Sequence, residues 1–215
     1  MINRKVKEYS YVLILLGILI AMILIISMAS PYFFSWKNCR NILNQSAIYL
    51  VISVGMTLVI SAGQIDLSVG SVIGFTGMIM GMLSLNGAAP GVAIFAGLLS
   101  SFLIGILNGA LVAYGKMNSF IVTLSTMTIA RGVILILTNS QSVFGFGTAF
   151  TFIGSGAVGP VNMPIVISLI VALIGAVILH KTTFGNYCLF IGSNEVALNR
   201  SGVNVRRYKM IVFGI

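Results

Sequence analysis

Long apolar runs alternate with short polar connections along the whole chain, and this pattern predicts helices that cross a membrane. Six runs have the roughly 17–25 residues that a spanning helix needs, at about 11–30, 44–62, 68–86, 91–114, 118–138 and 164–180. A seventh run begins near Met210 and reaches Ile215, the last residue. Backbone groups in lipid must be satisfied internally, and the alternation of a lipid-facing barrel strand is absent. We therefore expect an all-α, polytopic integral membrane bundle of about six complete helices and the start of a seventh.

The composition agrees with a lipid environment. Hydrophobic residues make up 58% of the chain and charged residues only 7%, whereas a soluble domain carries about 25% charged residues. The net charge of +9 does not indicate nucleic acid, because the basic residues lie in short clusters between apolar runs. Cys39, Cys188 and the single His180 have no metal-ligating spacing, and no metal site is expected.

The basic clusters predict the orientation in the membrane. Short loops rich in Lys and Arg face the cytoplasm, which places there Arg4, Lys5, Lys7, Lys116, Lys181, Arg200, Arg206, Arg207 and Lys209. Lys37 and Arg40 then lie outside. The run at 11–30 is longer than the apolar core of a cleaved signal peptide, so an uncleaved first span with a cytoplasmic N-terminus is expected.

Small residues recur at helical spacing in two runs. In the third run they are Gly70, Gly74, Gly77 and Gly81, and Gly105 and Gly109 repeat the pattern in the fourth. Small residues let helix backbones approach closely in lipid, so both sets predict tight helix packing. The segment 139–163 is instead rich in Gly, Ser and Phe. It is predicted to be an external loop or a short interfacial helix, whose aromatic residues anchor at headgroup level or contact an external partner.

Polar residues within or between the runs are the candidates for a functional site. Asp66 can cap the following helix, or it can line a solute path. Arg131 lies inside the fifth run and is expected to face the protein interior, to find an acceptor, or to extend its side chain outward to the interface. Pairing with Asp66 is one hypothesis. The remaining candidates have side chains that suit either hydrogen bonds between helices or contact with a polyhydroxy solute: Ser68, Asn108, Thr123, Ser125 and Thr126.

The segment 181–209 contains the signals of a short helix. Asn194 is a good N-cap, Glu195 suits the first turn, Arg200 suits the last, and Gly202 can adopt the left-handed conformation that ends a helix. The helix is either part of a surface loop with a chance capping pattern or a docking element for a cytoplasmic partner. Its candidate coupling residues are Asn194, Glu195, Val196, Ala197, Leu198, Arg200, Ser201 and Gly202.

Three motifs resemble those of ribose-type ABC transporter permeases. Residues 63–71 read Gly-Gln-Ile-Asp-Leu-Ser-Val-Gly-Ser and resemble the family signature Gly-Gly-Ile-Asp-Leu-Ser-Val-Gly-Ser, with Gln64 in place of a glycine. Asn108-Gly109 followed by residues 120–132 is similar to the next conserved block of the family. Residues 184–197 with Ser201-Gly202 resemble its cytoplasmic coupling segment.

The resemblance implies a single transmembrane permease domain over residues 1–215, the N-terminal two-thirds of a typical member, with the coupling segment at 181–209. It implies a dimer with a second, identical or different, permease subunit in the bacterial inner membrane. An ATP-binding subunit would dock inside and a substrate-binding protein outside. ATP-driven alternating access would import a monosaccharide such as ribose, galactose or xylose, or a related small polar solute.

Two other classes fit the sequence less well. An ion-coupled carrier or channel would favour several intramembrane carboxylates and a detectable repeat, and Asp66 is the single candidate. A membrane-embedded enzyme would need a catalytic constellation, and the sequence offers none. The chain is therefore expected to have no catalytic residues and no cofactor, with ATP hydrolysis in a separate subunit.

Overall fold

The fold is almost entirely helical. The computed structural model describes the backbone of residues 2–215 and the side chains of residues 10–147 and 150–215. The helices are α1 (Ile2–Ala29), α2 (Trp36–Ser61), α3 (Val69–Leu85), α4 (Pro90–Ala113), α5 (Ser119–Leu137), α6 (Thr148–Ser155), α7 (Met163–Lys181), α8 (Thr183–Arg200) and α9 (Val205–Gly214). An antiparallel pair, β1 (Ala157–Val158) and β2 (Val161–Asn162), lies between α6 and α7.

All six predicted apolar runs are helices, which confirms the multi-span, all-α prediction. Within the described part of the chain, five helices are long and apolar enough to cross a membrane: α1 from Ser10, α2, α4, α5 and α7. The sixth, α3, has 17 residues, and at about 1.5 Å per residue it is shorter than a typical hydrocarbon core. The non-helical residues 64–68 precede it.

The chain divides into two compact units, Met1–Ser46 and Ala47–Ile215. In the first, the side chains of α1 from Ser10 onward are all exposed or partly exposed, as expected for a helix surrounded by lipid. Its connection to α2 is held by short-range hydrogen bonds. In one of them the side-chain amide of Asn38 donates to the Phe33 carbonyl at 2.8 Å. The side chains of Arg4, Lys5 and Lys7, on which the predicted orientation partly rests, lie outside the described residues.

The second unit is built around the contact between α4 and α9. A Cβ atom on Gly105 would collide with the backbone oxygen of Phe213, and one on Gly109 would collide with that of Met210. Both glycines are buried. The small residues of α4 therefore bring two helix backbones together, as their spacing predicts.

The glycine row of α3 has different surroundings. No atom lies within 4 Å of where a Cβ would stand on Gly70 or Gly77, and at Gly74 the nearest is a methyl of Ile134 at 3.5 Å. Only Gly81 is crowded, at 2.6 Å from the Phe146 ring. Among the residues that the structure describes, no second helix backbone lies against this row, so its role in packing stays a prediction.

The segment 139–163 contains both a short helix and the β1–β2 pair. Of the alternatives left open for it, the helix α6 is the one that forms, and it packs against α7. Before it, Phe146 lies against Gly81 of α3, with its ring centroid 6.3 Å from that of Phe150. The segment thus combines a mostly exposed loop over residues 141–147 with the short helix α6.

Candidate functional site

The chain leaves helical geometry between α2 and α3, and a set of polar side chains gathers there. Gly63 turns the chain with φ +68°, a conformation that favours glycine. A Cβ atom at Gly63 would also stand 3.3 Å from the Cα of Gly192 in α8. Residues 64–68 then run without regular structure to the start of α3. Their backbone donors need partners from side chains, because few are satisfied by regular secondary structure.

Asp66 supplies the first of these partners. One of its carboxylate oxygens accepts the backbone N–H of Ser68 at 2.7 Å and the hydroxyl of the same residue at 2.6 Å. Ser68 is the N-cap residue of α3. The carboxylate therefore holds the turn that leads into the helix, and it does not bond an N–H inside α3, as a direct capping role would require.

The network continues from Ser68 into α4 and α5. The amide of Asn108 donates to the Ser68 hydroxyl at 3.2 Å, and its oxygen accepts from the Thr126 hydroxyl at 2.6 Å. Ser68 and Asn108 are each 1% exposed. We call Asp66, Ser68, Asn108 and Thr126 the polar network. It joins the non-helical segment between α2 and α3 to two neighbouring helices, α4 and α5.

Two hydroxyls of α5 accept hydrogen bonds from backbone N–H groups of the same non-helical segment. The Thr123 hydroxyl accepts the N–H of Leu67 at 3.1 Å, and the Ser119 hydroxyl accepts that of Ile65 at 3.3 Å. Ser125 has a different role, because its exposed hydroxyl donates to the Ile121 carbonyl of its own helix. Of the five hydroxyl and amide candidates, Ser125 is thus the one that makes no bond to another helix or segment.

Arg131 has a partner other than the one suggested for it. Its Nε donates to the hydroxyl of Ser71 in α3 at 3.1 Å. No ion pair joins Arg131 to Asp66, although both side chains are described. The expectation of an acceptor is met, but the acceptor is a neutral hydroxyl. The reason is that the carboxylate of Asp66 turns toward the backbone at the start of α3.

The short helix has the local structure that its sequence predicts. Asn194 interrupts α8 with φ −156° and ψ 83°, and its side chain accepts the N–H of Ala197 at 3.0 Å. Helical structure continues to Arg200, and Gly202 follows with φ +85°. We use the name short helix for residues 195–200. The cap and the terminator are confirmed, whereas the docking role stays a prediction.

Two contacts fix the short helix to the bundle. Leu198 packs against an apolar cluster that includes Val205 of α9. Glu195 forms an ion pair with Lys209 of α9, with 2.6 Å between the carboxylate oxygen and the ammonium nitrogen. The side chain of Val196 is 61% exposed, so this part of the short helix is open to a partner.

A cavity of about 630 Å³ lies beside the short helix. The turn at Gly63, the α4–α5 connection at Lys116 and the short helix at Glu195 all contribute to its wall. Its charged lining residues are Glu195 and four basic residues, Lys116, Arg200, Arg206 and Lys209. Two segments that the charge pattern places on the cytoplasmic side, the α4–α5 connection and the short helix, are thus found together beside the turn at Gly63.

The first part of α8 was not predicted from the sequence. Residues 183–193 are helical, and Gly185, Cys188 and Ile191 are buried at a spacing of three. This periodicity was available in the sequence, but it is short and interrupted by polar residues. Burial raises the pKa of the Cys188 thiol to about 11, so this cysteine is held in its unreactive, protonated form.

Comparison with known proteins gives consistent matches. Residues 38–215 match the family described as branched-chain amino acid transport system / permease component. The ribose import permease protein of Haemophilus influenzae is 40% identical over 201 residues, covering 92% of this chain and 62% of that protein. The ribose import permease protein of Escherichia coli K12 is 38% identical, with 92% and 63% covered.

A further relative is named for the transport of a different sugar. The D-allose transport system permease protein of Escherichia coli K12 is 33% identical over 188 residues, covering 87% of this chain and 58% of the relative. The chain thus spans about 62% of the length of the ribose permeases that it matches. No solved structure gives a significant match.

Proposed function

Because the chain belongs to the family of branched-chain amino acid transport system permease components, we propose that it is a permease subunit of a binding-protein-dependent ABC importer. Its cargo is a monosaccharide or a related small polar solute. The observation that supports this most is the likeness to ribose import permeases over 92% of the chain. The helices long and apolar enough to cross a membrane agree with it.

The partners follow from this assignment. An ATP-binding subunit docks on the short helix from the cytoplasm, and a substrate-binding protein delivers the solute from outside. A second permease subunit, identical or different, completes the path within the bacterial inner membrane. The chain itself has no catalytic role, and ATP hydrolysis in the partner drives alternating access.

The orientation places the N-terminus and the coupling segment 181–209 in the cytoplasm, with residues 1–215 forming the transmembrane permease domain. Two groups of residues support it. Lys116 and Glu195, both predicted inside, line one cavity. Phe146, in the segment predicted to lie outside, lines a different cavity.

The polar network serves a structural role in this proposal. Asp66 accepts the backbone N–H of Ser68, and Asn108 of α4 bonds both Ser68 and Thr126 of α5, so these side chains are already engaged. An ion-coupled carrier would need an intramembrane carboxylate available to an ion. The Asp66 oxygen that bonds Ser68 is occupied twice, and no observation favours this alternative.

Uptake measurements test the proposed function. The protein is expressed with candidate ATP-binding and substrate-binding subunits from the same genome, and labelled ribose, galactose and xylose are offered to the cells. We expect uptake of at least one of them, and its loss when the P-loop lysine of the ATP-binding subunit is replaced. Uptake that follows an ion gradient and ignores that replacement would contradict the proposal.

A further inference from the structure

The short helix cannot hold its position by itself. Isolated helices below roughly 12–15 residues are marginal in water, and residues 195–200 are separated from the rest of α8 by the non-helical Asn194. After Arg200 the chain turns through Gly202. Side-chain contacts with the bundle must therefore fix where this helix lies.

Leu198 and Glu195 provide these contacts from one face of the helix. Residues three apart on a helix are neighbours on its surface. Leu198 packs on the apolar cluster, whereas Glu195 pairs with Lys209 at 2.6 Å. An apolar contact is not directional, but an ion pair at hydrogen-bond distance fixes two atoms against each other.

Lys209 is the more enclosed partner of the pair. Its side chain is 14% exposed, compared with 48% for Glu195. The two residues are 14 positions apart, so the pair closes the loop through Gly202 and ties the short helix directly to α9. Exposed ion pairs contribute at most about 1 kcal/mol to stability. This pair therefore matters more for where the helix lies than for the free energy of unfolding.

The helix that carries Lys209 is firmly seated on α4. Met210, the next residue, lies with its backbone against Gly109, and Phe213 lies against Gly105. Val212 and Phe213 are buried as well. Interfaces packed this closely move as units because no side chain between the backbones can absorb the motion.

From these contacts we propose that Lys209 is the positioning residue of the short helix. Through its pair with Glu195, a displacement of the short helix is passed to α9 and then to α4. This inference rests on the proposed function, since it assigns the route by which movement of the ATP-binding subunit enters the membrane helices. It differs from a role in which Glu195 contacts the ATP-binding subunit directly.

Charge reversal separates these two roles. The variants Glu195→Lys, Lys209→Glu and the double exchange are assembled with the partner subunits in proteoliposomes, and uptake is measured per ATP hydrolysed. Each single reversal is expected to lower this ratio at least about fivefold, and the double exchange to restore it to within about twofold. Arg207→Glu is the control, because it reverses an exposed charge on the same helix that makes no ion pair with a described side chain.

A double exchange as impaired as Glu195→Lys would overturn the proposal and assign Glu195 to the partner surface. An unchanged ratio in Lys209→Glu would overturn it as well. If the reversals prevent folding, Glu195→Gln and Lys209→Gln replace them. The double neutral variant is then expected to have an uptake per ATP hydrolysed no lower than that of either single variant. Additive losses in this ratio would contradict the proposal. Failure of the proposed function would instead appear as absent uptake in the unaltered assembly.

Discussion

Replacing Gly109 with leucine is expected to cause the largest loss of stability, because it pushes α9 away from α4. The new side chain would enter space held by the backbone of Met210, whose Cα would stand 2.7 Å from the added Cβ. A flexible neighbour could rotate aside, but backbone atoms cannot, so α9 as a whole must shift. Overpacking of this kind typically costs about 1–3 kcal/mol and occasionally more, and we expect the upper end of that range.

Thermal unfolding in detergent measures this effect. Gly55→Leu is the matched control, because it makes the same substitution inside α2, where no atom beyond the adjacent backbone of that helix lies within 4 Å of the added Cβ. We expect a clearly lower Tm for Gly109→Leu and a Tm near that of the unaltered protein for Gly55→Leu. Equal Tm values for the two variants would show that α4 and α9 are not in close contact.

Asn108→Leu is expected to have the second largest effect. Leucine has a similar size, but it removes both the donor to Ser68 and the acceptor for Thr126. A buried polar group left without its partner costs about 1–3 kcal/mol. The loss should appear as a lower free energy of unfolding. Uptake should also fall, because the non-helical segment between α2 and α3 is held less firmly.

The network also predicts how this substitution combines with another. Thr126→Val removes the hydroxyl that donates to Asn108. The variant with both Asn108→Leu and Thr126→Val should therefore lose less free energy of unfolding than the sum of the two single losses. Asn86→Leu is the control, because that exposed amide bonds only the end of its own helix. Additive losses for Asn108 and Thr126, or an equal loss in the control, would argue against a buried network.

The spanning helices could be predicted because lipid imposes a simple condition on the sequence. Every crossing must be long, apolar and helical, and the six runs satisfy this. The last four agree with α3, α4, α5 and α7 to about one residue at each end, whereas α1 and α2 begin well before the predicted starts at 11 and 44. The ends of the short helix were predictable for a related reason. Caps and terminators such as Asn194 and Gly202 act within a few residues, so their effect is written locally in the sequence.

Contacts between distant segments could not be predicted in this way. The rows at Gly105–Gly109 and Gly70–Gly77 look alike in sequence, yet in the described part of the chain only the first has a helix backbone against it. Spacing identifies a surface that permits close approach and says nothing about what approaches it. The bond from Arg131 to Ser71 and the pair of Glu195 with Lys209 depend on tertiary placement for the same reason.

The measurement that tests the account most directly is the side of the membrane on which the short helix lies. A Val196→Cys, Cys39→Ser variant places a thiol at a position that is 61% exposed in the unaltered chain. Cys188 is 0% exposed and should not react. We predict that a membrane-impermeant maleimide labels this variant in inside-out vesicles and leaves it unlabelled in intact cells, where Cys39 of the unaltered protein does react. Labelling of the variant in intact cells would place the short helix outside, beyond the reach of an ATP-binding subunit.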